Sequence, residues 1–114
     1  MVNCIWVAEG GGSSGAAGVL KRMGLTEKVL LLGTDGSDET IACIKDGSMW
    51  GSIVQDFYSM GYISVQYAVA CLEGKEIPDM TDSGTFFVSA ENVDSFQENV
   101  DTQKRLIEQN IPVD

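Results

Sequence analysis

The chain has 114 residues, 44% of them hydrophobic, with 13 glycines, no histidine and a formal net charge of −10. That length is one domain at most, and the glycine count favours a compact, turn-rich chain over a helical bundle. Seven scattered basic residues make nucleic acid and anionic membrane poor partners, and without histidine there is no Ser-His-Asp triad.

Cys4 to Ala8 predicts a short apolar strand, and Glu9 to Gly15 a glycine-rich loop. Ala16, Ala17, Val19, Leu20 and Met23 then mark one apolar side of a helix that stops at Gly24. The run Val29-Leu30-Leu31-Leu32 suits a strand buried on both faces of a parallel sheet. It enters the turn Gly33-Thr34-Asp35-Gly36, with Asp35 at the mouth. Ligands of open α/β sheets bind beyond the carboxyl ends of such strands, although an Asp-Gly pair also builds turns with no ligand in view.

Ser37 or Asp38 caps the next helix, whose Ile41, Ala42 and Ile44 form an apolar face ending at Gly47. Trp50 to Gln55 is a third strand-like segment. Asp56 caps the longest helix, from about Phe57 to Leu72. Its apolar positions (Met60, Ile63, Tyr67, Ala68, Val69, Cys71) cover much of the circumference, which predicts deep burial. Gly74 stops it, and Pro78 lies beyond. Gly84 to Ser89 is a fourth strand by its β-branched and aromatic content. From Glu91 the chain is polar, with a helix expected from about Glu98 to Gln109, anchored only by Val100, Leu106 and Ile107. This alternation predicts an α/β fold: a three-layer parallel sheet flanked by helices and joined by right-handed crossovers.

Cys4, Cys43 and Cys71 are odd in number, lack C-x-x-C spacing and sit in apolar settings. They read as small buried hydrophobes, not as a zinc site or a disulfide framework. No apolar window of about 18 residues spans a membrane. The N-terminus shows no signal-peptide pattern. Gly10, Gly12 and Gly15 fit G-x-G-x-x-G, with Asp35 near the place where a ribose-binding acid would stand, but Glu9 beside them would repel a pyrophosphate. No Lys-Ser or Lys-Thr follows, so a Walker-type loop is excluded. Glu9 and Asp35 could pair for acid–base work. They read better, with Gln55, as three polar side chains at successive strand ends that grip a polyol. On this reading there is no catalysis, no metal and no cofactor.

Several pieces in order resemble one family: the glycine-containing turn before Gly15-Ala16-Ala17, then Leu32-Gly33-Thr34-Asp35-Gly36 and Ile44-Lys45-Asp46-Gly47. They continue with Ile53-Val54-Gln55-Asp56-Phe57-Tyr58-Ser59-Met60-Gly61-Tyr62, Leu72-Glu73-Gly74-Lys75-Glu76-Ile77-Pro78, Asp82-Ser83-Gly84 and Glu91-Asn92-Val93-Asp94. Over residues 3–96 the chain resembles the C-terminal part of the ribose-binding-protein-like sugar-binding proteins of ATP-binding-cassette importers, which have the type I periplasmic binding fold.

The resemblance implies two lobes joined by hinge strands, with a sugar or related polyol in the cleft. Asp35 and Gln55 would bond its hydroxyls. Glu9 is the best match to a position where the family usually has Asn followed by an acid; this chain has Ala8-Glu9-Gly10. Residues 1–56 would belong to the C-terminal lobe. Residues 57–96 would form the hinge crossing with a long helix and strand of the other lobe, and residues 97–114 a polar tail with helical spacing. The chain would be roughly the last third of an extracytoplasmic protein served by a membrane permease. Unpaired sheet edges and apolar helix faces would drive self-association. Two alternatives are the effector-binding domain of a LacI-like transcription regulator, which shares the fold, and a small nucleotide-dependent oxidoreductase.

Overall fold

The computed structural model describes residues 2–110. Its elements are β1 (Cys4–Trp6), α1 (Gly10–Arg22), β2 (Leu30–Thr34), α2 (Asp38–Lys45), β3 (Gly51–Gln55), α3 (Phe57–Leu72), β4 (Thr85–Ser89) and α4 (Val93–Asn110). Residues 2–54 and 87–110 make one compact unit, and Gln55–Phe86 a second.

The sheet order is β1-β2-β3-β4. β1 pairs with β2, and β2 with β3, in parallel as expected, with Trp6 opposite Leu32 and Gly33 opposite Ser52. β4 runs the other way, so the sheet is mixed. Asp56 N, just past the end of β3, donates to Gly84 O just before β4 at 3.1 Å. At the other end, Gly51 lies against Phe87 and the Val88 carbonyl.

Side chains alternate across a strand, so Leu31, Gly33, Ser52 and Val54 share one face of the sheet. All four are buried. α1 packs on β2 and on α2, and the core is Ala17, Leu20, Leu31, Ile41, Ile44, Met49, Val54, Val88 and Val93. Gly33 has no room for a side chain: a Cβ there would stand 2.8 Å from Met49 Sδ and 3.2 Å from Ser13 Cβ. The opposite face of this unit carries Cys4, Trp6, Leu30, Ile53 and Phe87, all exposed. β2 is therefore buried on one face, not on both: Leu31 is 1% exposed and Leu30 40%. Crossovers of one hand between neighbouring parallel strands put their helices on the same side. α1 and α2 accordingly touch each other. Cys43 packs on the core as expected, whereas Cys4 on the uncovered face and Cys71 on α3 are exposed.

Three helices begin on side-chain caps. Glu9 caps α1, Ser37 (not Asp38) caps α2, and Asp56 caps α3. The Ser37 and Asp56 caps each stabilise their helix by about 1 kcal/mol. The segment Gly10–Gly15, expected as a loop, is the first part of α1. The Glu9 carboxylate accepts from Gly11 N and Gly12 N and so supplies the start that glycine propensity alone would not give. α1 then buries Ser13, Ala17 and Leu20, while Val19 and Met23 of the expected apolar side are exposed. In α2 the buried face is Thr40, Ile41 and Ile44, and Ala42 is exposed.

α4 starts at Val93, not near Glu98. Asn92 binds the preceding strand, with its Oδ1 accepting from Ser89 N and its Nδ2 donating to Phe87 O, both at 2.9 Å. Val93 enters the core, Phe96 packs against it, and Lys45 pairs with Asp94 at 2.8 Å. Docking thus comes from the first turn of α4. The expected anchor Val100 is half-buried. The side chains of Leu106 and Ile107, and residues 111–114 of the expected tail, lie outside the described residues.

In the second unit, α3 has the predicted bounds but not the predicted burial, since none of its residues is buried. Ile63, Tyr67 and Ala70 are half-covered, and Tyr67 Oη meets Thr81 Oγ1 at 2.8 Å. Phe57, Tyr62, Val65, Val69 and Leu72 are exposed. One helix with the strand ends and connecting segment of this unit makes too few layers to enclose a helix that is apolar all round. Among the described residues no helix is long and apolar enough to cross a membrane.

Candidate functional site

The carboxyl ends of β1 and β2 meet the N-terminus of α1, and buried or half-buried hydroxyls lock them together. Val7, just after β1, donates its N–H to Leu32 O at 3.0 Å. Thr34 Oγ1 donates to Val7 O at 2.7 Å. Ser13 Oγ, fully buried in α1, donates to Glu9 O at 2.9 Å and accepts from Thr34 N at 3.2 Å. Ser52 Oγ, fully buried in β3, donates to Asp35 O at 2.6 Å. Every buried hydroxyl in this seam has a partner, which is what makes it rigid instead of costly.

Asp35 follows the last residue of β2 and is half-buried. Its N–H donates to Ile53 O at 2.8 Å. Its φ is 64°, and among the described residues it is the non-glycine with positive φ. That conformation costs an L-residue about 1–2 kcal/mol, less for Asp, whose short side chain bonds locally. Non-glycine residues held this way cluster where ligands are clamped. The carboxylate stands over the first turn of α1: a Cβ on Gly10 would lie 3.1 Å from Asp35 Oδ2. Helix N-termini attract carboxylates, so two acids gather here. Glu9 is exposed and spends oxygens on the amides of Gly11 and Gly12.

The structure thus brings the Glu9–Gly10 turn and Asp35 together in one unit. Gln55 ends β3, is exposed, and falls in the second unit. Ser13, Thr34 and Ser52 did not emerge as site residues from the sequence. The letters carry no signal for them: Ser52 turns to the buried side through the register of β3, and there a hydroxyl must find a partner.

The chemistry that fits is acceptance of hydrogen bonds. A carboxylate offers about four lone-pair sites, and two carboxylates beside one helix end make a surface for hydroxyl donors. A pyrophosphate does not fit: the helical amides that would cradle it already hold Glu9, and the glycines form no loop. Gly10, Gly12 and Gly15 therefore do not form the cradle that a dinucleotide-dependent oxidoreductase would use. Among the described residues no group of His, Cys, Asp or Glu could hold a metal ion.

The family described as periplasmic binding protein domain matches residues 2–76. No curated protein sequence matches significantly. Among solved structures, the chain is similar to a glucose-galactose binding protein from Geobacillus stearothermophilus at 26% identity and a TM-score of 0.77, over 80% of this chain and 32% of that one. It is similar to an ABC transporter periplasmic solute binding protein from Actinobacillus succinogenes with bound D-allose: 28% identity, TM-score 0.75, over 82% and 32% of the two chains. A third is a carbohydrate transporter solute binding protein from Agrobacterium radiobacter in complex with D-arabinose: 26% identity, TM-score 0.77, over 86% and 33%. The chain spans about a third of the length of these proteins.

Proposed function

The chain belongs to the periplasmic binding protein domain family, and we propose that it forms part of the sugar-binding cleft of an ABC importer's solute-binding protein. Its role is binding, without catalysis. The fold and the sugar-binding proteins it is similar to support this reading. The observation that carries it is Asp35, a half-buried acid in a left-handed conformation just past a parallel strand, with its carboxylate over a helix N-terminus.

In this proposal Asp35 accepts from a sugar hydroxyl and Gln55 both donates and accepts. Glu9 fixes the start of α1 and offers its remaining lone pairs to the same ligand. Residues 1–56 belong to the C-terminal lobe, and the segment after Gln55 crosses to the other lobe. The whole protein would work outside the cytoplasm and hand its sugar to a membrane permease.

Titration calorimetry with D-arabinose and D-allose on the two-lobe protein that carries this sequence tests the reading. Asp35→Ala should weaken binding by about 2–3 kcal/mol, because a desolvated hydroxyl loses its charged acceptor. Undiminished affinity would remove Asp35 from the site, and no heat with any pentose or hexose would remove the sugar reading. The 114-residue chain alone should bind these sugars weakly or not at all, since it spans about a third of such a protein.

A further inference from the structure

We infer that Ser52 is a positioning residue, whose buried hydroxyl holds Asp35 in its left-handed conformation and thereby aims the Asp35 carboxylate. The inference deepens the sugar-site reading and rests on it for the role of Asp35.

Left-handed backbone is free of penalty for glycine and unfavourable for a residue with a Cβ. Something in the fold must therefore hold Asp35 at φ 64°. Restraints act on its N–H, on the residue after it and on its own carbonyl. On the N-terminal side its N–H donates to Ile53 O at 2.8 Å. That bond continues the β2–β3 ladder and suits an extended residue equally well. On the C-terminal side Gly36 is pinched, since a Cβ there would stand 3.2 Å from the Phe96 ring and 3.3 Å from Val54 Cγ1. Between them, the Asp35 carbonyl accepts from Ser52 Oγ at 2.6 Å.

The direction of a carbonyl is what φ and ψ set together, so the Ser52 bond distinguishes the left-handed state from the extended one. Ser52 is fully buried, opposite Gly33 in register, and its hydroxyl has a single proton to give. The register therefore fixes the donor, and the donor fixes the carbonyl. The consequence at the side chain is direct. With Asp35 left-handed, Oδ2 lies over Gly10 at the start of α1. An extended Asp35 would swing its Cβ, and with it the carboxylate, away from that place.

The test has two readouts. In the isotope-labelled 114-residue chain, backbone couplings and chemical shifts report the φ of Asp35 without any ligand. Ser52→Ala should move Asp35 out of the left-handed range, and Ser52→Thr, which keeps the hydroxyl, should restore it. An Asp35 that stays left-handed in Ser52→Ala overturns the inference. If that variant does not fold, Ser52→Cys keeps the shape with a weaker donor and is judged by the same criterion. In the two-lobe protein, Ser52→Ala should weaken sugar binding about tenfold, with Ser52→Thr rescuing it. A relaxed Asp35 with unchanged sugar affinity would spare the Ser52 assignment and instead take Asp35 out of the sugar site.

Discussion

Asp46 ties the ends of two helices together with one carboxylate. It is the C-cap residue of α2; one oxygen pairs with Lys21 in the last turn of α1, and the other accepts from Ser48 N at 2.9 Å. The Lys21 ammonium first, and Ser48 second, hold its pKa down at about 2 against the ordinary 3.8. A carboxylate depressed in the folded state adds stability that is fully present above the unfolded value and is lost as pH falls from there through about 2. Both side chains are more than 40% exposed, so solvent screens the pair and it contributes well short of what the full shift would imply. Asp46→Asn should therefore lower the thermal midpoint by a few degrees at neutral pH, and the gap to the parent should close near pH 2. Circular dichroism melts across that range check it, and a gap that stays constant with pH would show that charge is not involved. At this scale Asp35 was legible, because an acid after an apolar run is conspicuous. Ser13 and Ser52 were not, since a serine in a helix or strand has the same letter whether it faces water or a buried carbonyl. Only the register and the fold decide between the two.

Elements were legible where propensity and packing agree. β3, α3 and α2 stand within a residue or two of their expected places, because β-branched runs, Asp and Ser caps and glycine stops all point the same way. Gly24 and Gly74 take the left-handed turns after α1 and α3, at φ 65° and 75°. The start of α1 was illegible because three glycines and two serines score as loop, while the Glu9 cap and close packing at Gly10 and Gly12 decide otherwise. The start of α4 is hidden in the sequence although Val93, Phe96 and Val100 repeat at helical spacing, because the polar residues around them mask the pattern. The glycines of this unit now separate by cause. A Cβ on Gly15, exposed in the interior of α1, would meet nothing within 4 Å. Gly15→Ala should stabilise the chain by about 0.5–1 kcal/mol through helix propensity. Gly33→Ala should destabilise it by about 1–3 kcal/mol, because Met49 and Ser13 leave no room and the core must shift. Denaturant unfolding measures both, and like signs for the pair would contradict the assigned packing.

Each of the two units presents an apolar surface to water. In the first unit Trp6 is 60% exposed, Leu30 40%, Ile53 39% and Phe87 44%, with no charged residue in any of the four strands. β1 is also an edge strand, so one side of its backbone is free to pair. In the second unit α3 has no charge from Phe57 to Leu72 and buries none of its residues. The sequence made α3 look deeply buried because an all-round apolar helix needs cover; it could not say whether this chain supplies that cover. Contiguous exposed apolar patches favour association. The net charge of −10 acts against it at long range, and salt screens that repulsion more than it affects apolar contact. We therefore propose that the 114-residue chain self-associates, more strongly as salt rises from low to physiological strength. Sedimentation velocity over a concentration series reads this directly. Leu30→Lys and Val65→Lys, each placing a charge on one of the two surfaces, should report which surface dominates by the larger shift toward monomer. A single monomeric species at high concentration and in salt would mean that neither surface is adhesive, and association weakening with salt would assign it to charge instead of apolar contact.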